Sequence, residues 1–337
     1  MKQYTTTGQE IRQMAAELLQ QGWTVISDTC KGIKFAPVTS ADEVLLQSGL
    51  KPVNLSLKEY FFPKTEPIFY YKKTHEGVEL IDVPETEKKT VIFGAKPCDA
   101  ASIPVLSKVF NWDYKDNFFN KRVESTVMIG LKCTYADEEC FCTSVGLDQS
   151  AHQGSDVFMT ELKGGDYLVE FVTEKGEKFF QPFMKMLKEV SGTAPEATEG
   201  KIPQKQFEAG KVKEWLDKNF DSAYWNELGE LCLGCAQCAF VCPTCHCFDI
   251  VDEDVDYSTG RRVKNWDACQ FCLFTKHASG HNPRDNQQNR YRQRINHKFK
   301  YYPDRFDSIL CTGCGRCSRG CGVSKSISEV LSEIEKF

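Results

Sequence analysis

The sequence lacks any long apolar run. No stretch of its 337 residues approaches the ~20 consecutive apolar residues that cross a bilayer, and the mean hydropathy is −0.42. The first 21 residues also lack the apolar segment and small-residue cleavage site of a secretory signal. These absences predict a cytoplasmic protein with no membrane insertion.

Glycine-rich nucleotide motifs are absent too. No G-x-G-x-x-G follows a predicted strand, and no G-x4-G-K-S/T occurs anywhere. Because such turns bind dinucleotides and nucleoside triphosphates, any flavin or nicotinamide chemistry is expected on another chain. The formal net charge of −5 gives no general affinity for nucleic acid. We predict no nucleic-acid partner.

Cysteine, in contrast, is abundant. The chain has 17 cysteines among its 337 residues. That fraction, about 5%, is below the roughly 8–10% typical of disulfide scaffolds, and disulfide frameworks belong to small secreted domains. The thiols are therefore predicted to be free to bind metal. Five lie in the first half and twelve lie between Cys232 and Cys321. This split, with a linker-like segment rich in Pro, Gly and small polar residues at 191–204, predicts two domains, 1–195 and 196–337.

The first domain has the pattern of an α/β fold. Continuous apolar runs at 91–95 and 127–131 are each followed by a cysteine-bearing loop. Such runs predict buried parallel strands, whose carboxyl ends meet at one sheet edge. Further predicted elements are an amphipathic helix, two strands and a second helix, at 8–21, 157–162, 167–172 and 179–190.

Two cysteine runs with the same spacing give the strongest prediction. Each reads C-x2-C-x2-C-x3-C, a spacing that puts three thiolates on one iron–sulfur cubane and sends the fourth to a neighbouring cluster. The predicted ligands of one [4Fe–4S] cluster are Cys232, Cys235, Cys238 and Cys321. Those of the other are Cys311, Cys314, Cys317 and Cys242. Zinc is the alternative, but it favours two separated C-x2-C pairs.

The second domain is predicted to be a mainly α-helical, ferredoxin-like domain that holds these two clusters. Helical patterns flank both runs, and 68 residues separate Cys242 from Cys311. Because neither run leaves an iron without a protein ligand, we expect one-electron transfer and no catalytic residue in this chain.

Eight other cysteines have open roles. In the first domain four could hold a third cluster or be ordinary buried thiols: Cys98, Cys133, Cys140 and Cys142. Four more lie between the two runs: Cys245, Cys247, Cys269 and Cys272. For this second set, buried thiols that tune the clusters are favoured over a metal site. Cys30 is predicted to lie in the core.

A basic segment lies beside the runs. Residues 261–305 contain eleven Lys or Arg against three acidic residues, a local charge of +8 with interleaved aromatics. Compensation of the anionic clusters and docking of an acidic partner are favoured over a nucleic-acid surface.

Several segments carry a family resemblance. They are CLGCAQCAFVCPTCHCFDIVDE, NWDACQF, HNPR, HKF and CTGCGRCSRGC, with GAKPCDA and GLKCTYADEECFC upstream. The chain resembles, from about residue 91 to 321, the iron–sulfur β subunits of group 3 [NiFe] hydrogenases (sulfhydrogenases) and the A subunit of anaerobic sulfite reductase. The resemblance implies an electron-transfer subunit between a flavoprotein subunit that reacts with NAD(P) and a catalytic subunit. It also favours joint action of Cys98, Cys133, Cys140 and Cys142.

An alternative hypothesis is catalytic. The chain could be an iron–sulfur thiol/disulfide reductase whose substrate-reactive site is formed by the cysteines between the two runs.

Overall fold

The computed structural model describes residues 2–28, 32–84, 88–323 and 325–337; Cys30 lies outside the described residues. The strands are β1 (Gln3–Thr6), β2 (Thr24–Asp28), β3 (Phe35–Pro37), β4 (Thr65–Thr74), β5 (Gly77–Asp82), β6 (Thr90–Ala95), β7 (Thr126–Leu131), β8 (Val157–Glu161), β9 (Tyr167–Phe171), β10 (Lys188–Glu189), β11 (Phe248–Asp254) and β12 (Thr259–Trp266). The helices are α1 (Gly8–Gln20), α2 (Lys58–Phe61), α3 (Pro97–Ala100), α4 (Ser102–Phe110), α5 (Asn117–Ser125), α6 (Glu174–Phe180), α7 (Ala209–Lys218), α8 (Tyr224–Leu231), α9 (Gln237–Phe240), α10 (Gln287–Asn296), α11 (Tyr302–Phe306), α12 (Arg316–Arg319) and α13 (Ile327–Ile334).

The larger sheet has eight strands in the order β10-β1-β9-β8-β7-β6-β2-β3. Strands β2, β6, β7 and β8 run parallel to one another, and the outer strands are antiparallel. The predicted parallel strands at 91–95 and 127–131 are confirmed as β6 and β7, which are direct neighbours. Both are buried on both faces because their side chains are almost all apolar.

Helix α1 confirms the predicted amphipathic helix. Thr7 accepts a hydrogen bond from the Glu10 backbone N–H, and the Glu10 carboxylate accepts one from the Thr7 N–H. This capping box fixes the start of the helix. Its apolar stripe is buried against the sheet at Ile11, Met14, Ala15 and Leu18.

The predicted helix at 179–190 is wrong in its bounds. Helix α6 begins at Glu174, capped by Thr173, and ends at Phe180. A short 3-10 turn with Pro182 near its start follows, and the chain then adds β10 to the sheet edge. Proline has no backbone N–H and so cannot extend a helix that precedes it.

The smaller sheet combines strands from both halves of the sequence. Its order is β11-β12-β4-β5, with β12 antiparallel to β4. The β11–β12 hairpin lies in the segment between the two cysteine runs, so a mainly helical second domain is not confirmed. The predicted linker at 191–204 runs along the larger sheet, where Thr198 N–H bonds to Glu161. The division at residue 195 stays a prediction.

Helices α7 to α13 pack around the two cysteine runs. A π-helical turn at His297–Tyr301 joins α10 to α11 in one continuous helical rod. The core between these helices contains Trp225, Ile295, Phe299, Val330 and Leu331. Two basic side chains of this rod contact cysteines: Arg294 contacts Cys245, and Lys298 contacts Cys242.

Candidate iron–sulfur sites

The two cysteine runs fold in the same way. In each run the residues before and after the second cysteine have positive φ: Gly234 (66°) and Ala236 (60°), then Gly313 (61°) and Gly315 (72°). A one-turn helix within each run contains its third cysteine: α9 contains Cys238 and α12 contains Cys317. This left-handed geometry points backbone N–H groups inward, and Gly313 N–H lies 3.4 Å from Cys311 Sγ.

The fourth cysteine of the first run lies among the thiols of the second. Burial raises the pKa of the Cys317 thiol well above its ordinary value, and the nearby Cys242 thiol raises it further. Burial also raises the pKa of Cys311 to about 12, with Cys242 again a neighbour. The fold therefore brings Cys242 together with the run that it was predicted to serve.

The fourth cysteine of the second run, Cys321, lies near the first run. A Cβ on Gly320 would stand 2.9 Å from the Gln237 side chain, and Cys321 follows Gly320 directly. The second run thus ends beside the helix that starts within the first. Cys235 is exposed, and Cys232 Sγ accepts a hydrogen bond of 3.2 Å from Gln287 Nε2. The first run is consequently the one nearer the surface.

A buried lysine faces Cys242. Lys298 Nζ lies 3.4 Å from Cys242 Sγ and also donates to Thr244 Oγ1 and to the Leu310 carbonyl. Burial opposes its charge, but the Cys242 and Cys245 thiolates outweigh burial and raise the Lys298 pKa. A fixed cation at a thiolate stabilises negative charge there.

The four cysteines of the first domain converge on one cavity at the carboxyl edge of β6 and β7. The cavity is small, about 20 Å³, and is lined by Cys98, Cys133, Cys140, Cys142 and also Cys314 of the second run. Burial raises the pKa of Cys140 to about 12 and that of Cys142 to about 11. The parallel strands explain the meeting of Cys98 and Cys133, because each follows a strand end at the same edge.

Close backbone contact joins this strand-edge cavity to the second run. Phe141 N–H donates to the Gly313 carbonyl at 2.9 Å. A Cβ on Gly313 would stand 2.4 Å from Cys142 Cα, so no larger residue fits without movement. Glycine is needed here both for its positive φ and for this approach.

Two ion pairs hold the same interface. Asp99 Oδ2 and Arg316 Nη2 are 2.7 Å apart and fully buried. Arg319 pairs with Asp137 at 2.8 Å and donates to Cys140 Sγ at 3.0 Å. Sequence analysis identified none of these four residues. Their positions next to Cys98, Cys140 and Cys317 were the only available indication.

A third group of thiols lines a separate small cavity of about 10 Å³. Its walls are formed by Cys245, His246, Cys247, Cys269, Arg294, His297, Lys298 and Leu310. Arg294 Nη1 lies 3.4 Å from Cys245 Sγ, and its Nη2 donates to the Cys238 carbonyl. Cys272, predicted to act with this group, is exposed and does not line the cavity.

The basic side chains of residues 261–305 lie in two kinds of surroundings, some buried against cysteines and some in ion pairs nearer the surface. Arg294 and Lys298 are buried against cysteines, as the charge-compensation hypothesis expects. Arg261 and Arg262 instead pair across the β11–β12 hairpin with Glu253 and Asp252.

The donor sets suit iron–sulfur clusters. Thiolates are the ligands such clusters use. Buried thiols lie next to Lys or Arg at the second run, in the strand-edge cavity and in the separate thiol cavity. Within the described ranges, no three His, Cys, Asp or Glu side chains are arranged to hold a single metal ion. In a cubane each thiolate binds a different iron, so its ligands do not surround one ion. Nor does the described part of the chain contain a helix long and apolar enough to cross a membrane.

The cysteine runs and their fold define an iron–sulfur protein of the dicluster class. The family model described as "4Fe-4S dicluster domain" matches residues 231–325. The chain is also 30% identical over 309 residues to sulfhydrogenase 2 subunit beta of Pyrococcus furiosus. This match covers 90% of this chain and 89% of that protein. The chain therefore belongs to the sulfhydrogenase β-subunit family, and the resemblance noted from its motifs is confirmed. No solved structure matches it.

Proposed function

We propose that this chain relays single electrons between a flavoprotein subunit that reacts with NAD(P) and a catalytic oxidoreductase subunit of a cytoplasmic complex. Membership of the sulfhydrogenase β-subunit family supports an iron–sulfur electron-transfer subunit. The two clusters are held by the reciprocal sets predicted above, Cys232, Cys235, Cys238 and Cys321, and Cys311, Cys314, Cys317 and Cys242. The proximity of Cys242 to the second run, seen in its effect on the pKa values of Cys311 and Cys317, supports this pairing.

A third [4Fe–4S] cluster belongs in the strand-edge cavity, held by Cys98, Cys133, Cys140 and Cys142. The observation that carries this proposal is that Cys314, a ligand of the second cluster, lines the same cavity. The two centres would then be immediate neighbours. Iron–sulfur clusters supply one-electron redox chemistry, and this chain's part is to hold them in series and exclude water.

The charged residues at the interface support electron transfer at this point. Arg316 and Arg319 project from the second run and pair with Asp99 and Asp137 of the strand-edge loops. These pairs fix the distance between the two thiol groups, and cations near the thiols favour the reduced, more negative cluster. Flow in either direction would pass through this interface.

Anaerobic preparations of the wild type and of Cys98→Ser/Cys142→Ser test the proposal. We expect iron and acid-labile sulfide in the wild type, and a loss of about four irons per chain in the variant, since a cubane contains four. The control is Cys272→Ser, which changes an exposed thiol outside the cavity. A wild type without iron contradicts the electron-transfer function. Equal iron in the wild type and the double variant contradicts the third cluster alone.

A further inference from the structure

The cavity between the hairpin and the helical rod brings together three thiols that the two cluster runs do not use. Cys247 lies just before β11 and Cys269 just after β12, so hairpin pairing puts them side by side; Asp267 N–H bonds to the Cys247 carbonyl at 3.0 Å. The two thiols are close enough to interact. Cys245 lines the same space two residues earlier.

Two cationic side chains, Arg294 and Lys298, line this thiol cavity, and a third, Lys58, lies near Cys245. Lys58, Arg294 and Lys298 are each 2% exposed. Among the residues that the structure describes, none of the three forms an ion pair with a carboxylate, and the groups that favour their charged forms are cysteines. The Arg294 Nε is buried and has no hydrogen-bond partner. Burial of an unpaired charge is costly, so an anion is required nearby.

Thiolates in this cavity would add to the negative charge that the cluster ligands supply, whereas neutral thiols or a disulfide would add none. A Cys247–Cys269 disulfide carries no charge and would remove Cys269 from the thiols around Arg294, which also include Cys238, Cys245 and Cys242. Cluster ligands of the first run neighbour all three cations: Cys242 contacts Lys298 and lies near Lys58, and Cys238 lies near Arg294. Lys58 and Arg294 have Cys245 among the thiols nearest to them, and Arg294 contacts its sulfur directly.

The walls of the cavity also offer nitrogen ligands. His246 Nδ1 lies 3.1 Å from the Thr244 carbonyl, a contact that holds the proton on Nδ1 and leaves Nε2 free. His297 lies at the start of the π-helical turn, and the two imidazole centroids are 5.4 Å apart. Single-turn π segments are frequent at functional sites.

We propose that this cavity binds a further iron–sulfur cluster, held by the thiolates of Cys245, Cys247 and Cys269 and completed by an imidazole of its wall. Each thiol gives up its proton when it binds iron, and the resulting negative charge is matched by Lys58 and Arg294. A histidine ligand raises the reduction potential of such a cluster relative to an all-cysteine one. The inference rests on the proposed electron-transfer function and adds a centre to it.

The test compares three anaerobically purified full-length proteins: the wild type, Cys247→Ser/Cys269→Ser and Cys272→Ser. We expect the double variant to lose one cluster, about two irons for a [2Fe–2S] or about four for a [4Fe–4S] centre. It should also lose one paramagnetic signal on stepwise reduction with dithionite while the remaining signals persist. Cys272→Ser should match the wild type, because that thiol is exposed and lies outside the cavity.

Two results would overturn the inference. The first is equal iron, sulfide and paramagnetic signals in the wild type and the double variant. The second, measured on the wild type alone, is a Cys247–Cys269 disulfide found by peptide mass mapping, which holds even if the double variant does not fold. A wild type without any iron would instead defeat the electron-transfer function itself, so the two failures are distinguishable.

Discussion

Replacement of the buried lysine beside Cys242 should lower the potential of one cluster. Lys298 Nζ lies 3.4 Å from Cys242 Sγ, and Lys298→Met keeps the length of the side chain but removes its charge. An added electron placed wholly on that sulfur would lose about 5 kcal/mol of attraction at an effective dielectric constant of about 20. Because the electron is shared over the whole cluster, we expect a smaller loss of about 2 kcal/mol, or roughly 90 mV for one electron.

The assay is a potentiometric titration of the reduced clusters followed by paramagnetic resonance. One signal should move to lower potential in Lys298→Met, since loss of a positive charge disfavours reduction. The control is Lys300→Met, which removes a lysine two residues further along the rod. Lys300 pairs with Asp217 at 3.1 Å and donates to the Leu216 carbonyl at 3.3 Å. An unchanged or raised potential in Lys298→Met, or an equal shift in Lys300→Met, would refute the reasoning.

Three further predictions concern stability and can be measured by denaturant or thermal unfolding. Arg316→Met leaves Asp99 buried without its partner and should cost about 3–5 kcal/mol, whereas Arg262→Met breaks only an exposed pair and should cost far less; equal losses would contradict the burial of the Asp99–Arg316 pair. Gly313→Ala should destabilise the chain strongly, because its Cβ would collide with Cys142, while Gly322→Ala meets open space and should have little effect. Thr7→Ala removes the N-cap of α1 and should cost about 1 kcal/mol; no change would mean that the capping box is not formed.

Local patterns predicted the parts of the fold that depend on neighbouring residues. The apolar runs became β6 and β7, and the cysteines after them met at one edge because parallel strands end on the same side. The amphipathic pattern at 8–21 became α1.

Two local patterns were overlooked. Pro182 indicated that a helix could not continue through 179–190, and α6 ends just before it, at Phe180. The turn before β12 contains Asp256, which accepts hydrogen bonds from the Ser258 and Thr259 N–H groups, a turn pattern typical of hairpins. With that signal, the β11–β12 hairpin could have been predicted. Its pairing with β4 could not, because nearly two hundred residues separate Lys72 from Thr259 along the chain.

The type of cofactor was determined by the sequence itself. The spacing C-x2-C-x2-C brings three thiols to one centre through local turns alone, and both runs adopt the same turns. Tertiary structure alone decided which thiols share a cavity. Cys314 meets Cys98 and Cys142, Asp99 meets Arg316 over 217 residues, and Arg294 meets Cys245. Contacts of this kind depend on how separate elements pack, and no spacing within either run specifies them.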